Sequence, residues 1–328
     1  DGQVLTSTGS GVAWEDASSG GVTGLTGLVE NNSVWLGSDP SSTTSTADKN
    51  TALGTTALDS ITTGDNNSIL GYAAGTAITT GSYNNLIGTL CGDAITTGSE
   101  NIGIGHATLG ALTTASNNVA IGSNSMMSAT TGTANVAVGY ATLDALTTSN
   151  NNTAIGHAAL GANTTGTTNT AVGAYAGDAI TTGSNNTAVG YGTLTSLTTS
   201  SKHVAIGEGA SASVTTGSYS TSVGYNALYS LTTGDGNVAV GTEALDANTT
   251  GASNVAVGKG ALGANTTASY NIGIGNDSLK VNTTGANTLG IGYEAGVAQT
   301  GGAANVFIGN NAGAVSYTHL RAHETVLD

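Results

Sequence analysis

The chain has 328 residues, with 51 glycines, one proline, one cysteine, 8% charged residues and a formal net charge of −15. Ordinary soluble domains carry roughly a quarter charged residues. Leu, Ile, Val and Phe together make up less than a fifth of this chain, so composition excludes an ordinary globular enzyme. Four lysines (49, 202, 259 and 280) and Arg321 are too few for the basic patch that a phosphate backbone needs, which argues against nucleic acid. No apolar run approaches the ~20 residues of a bilayer span, so membrane insertion is not expected.

Residues 1–32 read as a small N-terminal module, followed over 17–32 by a Gly-, Ser- and Thr-rich connector containing Gly24-Leu25-Thr26-Gly27-Leu28. Trp14 and Trp35 are expected to anchor that module and the first repeat. The sequence opens on Asp1, not Met, and is expected to be a fragment of a longer chain. Cys91 has no partner for an internal disulfide, which leaves the redox compartment open.

From residue 33 the chain repeats itself every 17 residues, without an insertion, to residue 314. Glycines mark the register at Gly54, Gly71, Gly88, Gly105, Gly122, Gly139, Gly156, Gly173 and Gly190, and the series continues to Gly309. Each is preceded by an aliphatic residue: Leu36, Leu53, Leu70, Ile87, Ile104, Ile121, Val138, Ile155, Val172, Val189, Ile206, Val223, Val240, Val257, Ile274, Ile291 and Ile308. Two residues earlier stands Val, Ile, Leu or Thr in most repeats, with Ala or Gly between, as in Asn152-Thr153-Ala154-Ile155-Gly156. Such alternation predicts one short strand per repeat, with the aliphatic column inside and the glycines in the turn that follows. The small Ala/Gly column would then face outward, where it allows close approach by a second subunit.

The other half of each repeat carries Ala-Leu or Ala-Gly, then Leu, Ile or Asn, then Thr-Thr, as in Ala159-Leu160 to Thr164-Thr165. Its β-branched residues predict a second short extended segment, with turn chemistry in the Gly, Ser and Asn that follow. A 17-residue unit of this kind has the size of one β-solenoid coil. About sixteen coils stacked ~4.8 Å apart predict an all-β rod of roughly 75–80 Å. Asn50, Asn67, Asn84, Asn101, Asn118, Asn135, Asn152, Asn169 and Asn186 predict an amide ladder beside a Thr ladder. The thin core of a lone coil favours self-association.

Asn152-Thr153-Ala154-Ile155-Gly156 and Asn135-Val136-Ala137-Val138-Gly139 resemble the head repeats of YadA-like trimeric autotransporter adhesins, whose repeat is shorter. With Ala159-Leu160 and Asn163-Thr164-Thr165-Gly166, the 17-residue form is more similar to repeats of phage tail fibres and bacterial surface proteins. This resemblance covers about 33–314 and implies homotrimeric, left-handed β-rolls. His203, Ser220 and Thr288 depart from it where Asn is usual, as does the first repeat with Pro40. The opening Asp1-Gly2-Gln3-Val4-Leu5 and Gly11-Val12-Ala13-Trp14-Glu15 is similar to a short module that precedes tail-fibre shafts. Residues 315–328 break the period and resemble translated adapter read-through at the end of a metagenomic reading frame, so that tail is expected to be non-native and disordered. A C-terminal chaperone or tip domain would then be missing.

No catalytic, cofactor-binding or metal-binding residue is expected. Acids recur in one turn-side column (Asp59, Asp93, Asp144, Asp178 and Asp246) and read as solvated charges. His106 and His157 share a column but lie three coils apart, roughly 14 Å, too far to share a metal. Cys91 stands in a column of Ala, Thr and Ser and reads as a small core residue. The expected function is a non-enzymatic fibre shaft or adhesin stalk, extracellular, on a phage virion tail fibre or a bacterial surface. Its expected partners are itself, as a homotrimer, and a host-surface glycan or protein receptor. The alternatives are an ice-binding solenoid using a stacked Thr column and a polysaccharide-acting solenoid enzyme.

Overall fold

A computed structural model describes the backbone of residues 3–7, 12–16, 27–30, 32–36 and 45–314, and side chains within 32–36 and 45–314. Two compact units divide the chain, Asp1–Val189 and Gly190–Asp328, so the division falls inside the repeat region. In the first unit, β1 (Gln3–Ser7) and β2 (Val12–Asp16) form an antiparallel hairpin of their own. There Trp14 stands opposite Leu5; its side chain lies outside the described residues. β3 (Gly27–Glu30) pairs antiparallel with β4 (Ser33–Leu36), which covers one edge of the sheet that β4 begins. The end of the expected connector is therefore part of a sheet. The expected foreign tail, 315–328, lies outside the described residues.

From β4 onward each repeat contributes a single three-residue strand, from β5 (Thr51–Leu53) to β13 (Thr187–Val189) in the first unit. The second unit continues with β14 (Val204–Ile206) to β20 (Val306–Ile308). Within each unit neighbouring strands pair in parallel, every residue against its equivalent 17 positions on, as Ala137 against Ala154. These ladders make each unit a parallel β-solenoid, and no helix occurs among the described residues.

Two expectations need correction. The first is the second extended segment: the other half of each coil consists of turns and bends, with no strand among the described residues. It closes through left-handed residues that are not glycine, such as Asn151, Ala158 and Leu160 at φ 59°, 52° and 51°. Such conformations are disfavoured for L-residues, but coil-to-coil backbone bonds hold them, as from Leu160 N to Ala176 O at 3.0 Å. β-propensity in the Thr pair is overridden by this stacking.

The second correction concerns which strand face is inside. Ala154 is fully buried, whereas Ile155 is 40% exposed, and every residue of the column from Leu36 to Ile308 is half-buried or exposed in the single chain. The interior is filled from the opposite wall by Leu58, Leu109, Leu143 and Leu160 and by Ile61, Ile95 and Leu112. These leave room for only a small residue behind the strand: a Cβ on Gly103 would meet Cys91 Sγ at 2.6 Å and Leu109 Cδ1 at 3.3 Å. In some coils a glycine in the opposite wall coincides with a larger strand centre, as in Leu86 with Gly92 and Ile69 with Gly75. A Cβ on Gly92 would stand 2.8 Å from Leu86 Cδ1. Gly177 and Gly296 have no such counterpart, standing with Ala171 and Gly290, and there Leu160 and Leu279 of the preceding coil lean toward the space.

Candidate functional site: the outward sheet face

Since strands within each unit are bonded edge to edge, the outward face offers only side chains. Two columns line it, Val34 and Leu36 of β4 and the first and third residue of every three-residue strand from β5 on: Ile102 with Ile104, Val136 with Val138, Thr153 with Ile155, Ile272 with Ile274. No residue at either position, from β4 to β20, is charged. Ten strands at ~4.8 Å make this face ~45 Å long in the first unit. The third-residue column is aliphatic in every strand, while the first-residue column mixes aliphatic residues with Thr51, Ser68, Asn85, Thr153, Thr170 and Thr187. A continuous uncharged stripe with one fully aliphatic edge therefore meets solvent in the single chain.

Inside the coil, polar ladders position the strand. Asn135 Nδ2 donates to Asn118 Oδ1 at 3.3 Å and to Ser149 O at 2.9 Å, while its own Oδ1 accepts the backbone N–H of Asn152 at 3.0 Å. The same pattern recurs for the buried Asn67, Asn84 and Asn101. Of the two threonines, the first donates Oγ to the equivalent carbonyl of the next coil, as Thr62 to Thr79 O at 3.0 Å. The second, from Thr46 to Thr284, is exposed. Only the second Thr column is exposed in every coil; the first is half-buried except at Thr198, Thr215, Thr283 and Thr300.

Each marker glycine of the strand's exit turn has a strongly positive φ: 145° at Gly54, 143° at Gly71, 137° at Gly88, 140° at Gly105, 127° at Gly122, 140° at Gly139, 136° at Gly156, 134° at Gly173 and 136° at Gly190. Trp35 is buried at the centre of β4. The structure does not bring the acid column together into a catalytic pair. Asp93, Asp144 and Asp178 are half-buried in separate coils, and burial raises each carboxyl above its ordinary range. The charged forms therefore cost stability at neutral pH, a cost relieved as pH falls through the raised values towards 3.8. Asp246 is raised by burial and then by Glu243, with Lys280 opposing. It lines an open depression of about 480 Å³, where Gly260 and Gly263 leave one coil bare between Glu243 and the Lys280–Asp277 ion pair (3.0 Å).

His157 stacks on Tyr140 at 5.4 Å and meets the edge of Tyr175 at 5.0 Å. His106 stands in the same column, and no three His, Cys, Asp or Glu side chains converge on a metal position among the described residues. Cys91 is buried in the coil wall, and burial pushes its thiol up to about 12, so it is protonated at neutral pH. No family model, curated protein or solved structure matches this chain.

His203 takes the place of a ladder Asn, buried, with Nε2 bonded to Gly217 O. Burial lowers its pKa below 6.5, partly opposed by that bond and by Asp235. The unfolded chain therefore takes up the proton first as pH falls, and stability declines from about pH 6.5 downward until the folded imidazole also protonates. His203→Asn is expected to remove this dependence between pH 7 and 5, read as the difference in urea midpoint from the parent chain. Identical pH profiles would show that His203 protonates without cost.

Proposed function

We propose that this chain is a non-enzymatic fibre shaft or adhesin stalk, extracellular, on a phage tail fibre or a bacterial surface. It works as a homotrimer packed through the outward sheet face. The carrying observation is that face: one column aliphatic in every coil beside a second of aliphatic and small polar residues, free of charge and half-buried or exposed in the single chain. The resemblance of Asn152-Thr153-Ala154-Ile155-Gly156 to trimeric head repeats supports the same reading. Burying the face between copies adds the apolar area that a narrow coil lacks. The repeats supply length and multivalent display, while a glycan or protein receptor is recognised elsewhere.

Native mass spectrometry and sedimentation of the full chain test this, with a trimer expected. Ile155→Asp is expected to give a folded monomer with unchanged far-UV circular dichroism, because the new carboxylate meets water in the monomer and an apolar neighbour in the assembly. A parent chain that stays monomeric at every concentration would overturn the proposal. So would an Ile155→Asp chain that assembles like the parent. Thermal hysteresis in a monomeric chain would favour ice binding by the exposed Thr column instead.

A further inference from the structure

The face is bounded by two corners, the residue two before each strand and the residue two after it. In the coil of β14 these are Lys202 and Glu208; in the coil of β8 (Ile102–Ile104) they are Glu100 and His106. All four are exposed. Lys202 lies over the Tyr219 ring of the next coil at 5.1 Å, and Lys202 and Glu208 form no ion pair with each other. The five residues between the corners, a span of six steps at ~3.3 Å each where extended, hold them on opposite sides of the face. In no coil do the two corners carry like charges.

We infer that the partner on this face is a second copy of the chain, parallel and at the same coil level, with Lys202 of one copy paired to Glu208 of the next and Glu100 paired to His106. This rests on the self-assembly proposed above and specifies its register. A rotation about an axis parallel to the coil stack keeps every coil at its own height. It brings the exit corner of one copy against the entry corner of its neighbour, so residues of one coil that cannot meet within a chain meet between chains. An antiparallel copy would set entry corner against entry corner and lose both matches. The aliphatic column from Leu36 to Ile308 gives adhesion but repeats too regularly to fix an axial position, since a slip of one coil buries nearly the same surface of that column. One charge pair, Lys202 with Glu208, and one carboxylate–imidazole contact, Glu100 with His106, penalise such a slip.

The test is a charge swap in the full chain, read by sedimentation at low salt across a concentration series, with melting curves to confirm folding. Lys202→Glu and Glu208→Lys are each expected to weaken assembly about tenfold, the size of an exposed pair repeated at every interface of a ring. The double variant should return to within about threefold of the parent, because the pair is rebuilt with its polarity reversed. If the parent assembles while the double variant is as weak as the two single losses combined, the register is wrong and self-assembly stands. Unchanged single variants also overturn the register. A monomeric parent overturns self-assembly itself.

Discussion

Replacing Asn135 by Leu is expected to cost about 3–5 kcal/mol, among the largest losses available to a single side chain here. The amide is fully buried and joins three coils, accepting from Asn152 N at 3.0 Å and donating to Asn118 Oδ1 at 3.3 Å and to Ser149 O at 2.9 Å. Leucine has similar volume but leaves the Asn152 N–H and the Ser149 carbonyl buried without these partners, at about 1–3 kcal/mol each. Natural departures in the column show what is essential. Ser33 and Ser220 lack the amide yet keep an oxygen that accepts the next coil's N–H, at 2.8 Å from Asn50 N and 3.3 Å from Asn237 N. Asn135→Ser is therefore expected to cost clearly less than Asn135→Leu. Urea unfolding measures the order, and hydrogen exchange over 135–152 should show the loss concentrated near the altered coil, as expected for nearest-neighbour stacking. Equal losses for the two variants would mean that volume, and not the acceptor, holds the column.

The period, the single aliphatic strand and the amide ladder are legible in the sequence because each is a local pattern repeated at fixed spacing. The face of that strand is not legible from alternation. A period of two separates the residues into two sets without naming the inner one, and hydrophobicity assigns Ile155 inward where the coil admits only Ala154. The deciding signal is volume exchange between repeats: Leu86 coincides with Gly92, Ile69 with Gly75 and Phe307 with Gly313, while the outward column shows no such exchange. Residues that trade size share a space, so the strand centre and the opposite wall are the core pair. The turn half is misread for a different reason. Ala158 and Leu160 adopt left-handed backbone conformations that no local propensity favours, and bonds from adjacent coils impose them. The candidate surface follows from the same inversion, since the residues expected to build the core are the ones left on the outward face.

Gly139→Ala is expected to cost at least about 4 kcal/mol, through two effects that add. At φ 140° the backbone stands where L-residues are rarely found, and a Cβ would lie 2.7 Å from the carbonyl carbon of Gly156 and 2.8 Å from Thr142 Oγ1, and would also press on the Gly156 oxygen. Neither neighbour can retreat: Gly156 N is bonded to Val138 O at 2.8 Å, and Thr142 Oγ1 to Gly156 O at 2.7 Å. Moving them apart would widen a coil spacing set at ~4.8 Å by strand pairing. Gly309 separates the two effects, because its φ of 118° carries the backbone penalty while no described atom lies within 4 Å of its Cβ position. Gly309→Ala should thus lose only the ~1–3 kcal/mol of the strained conformation. Thermal melts together with limited proteolysis measure both, with new cleavage near residue 139 expected only in Gly139→Ala. If the two variants lose the same amount, the close approach of successive exit turns contributes nothing, and the glycine column exists for its backbone conformation alone.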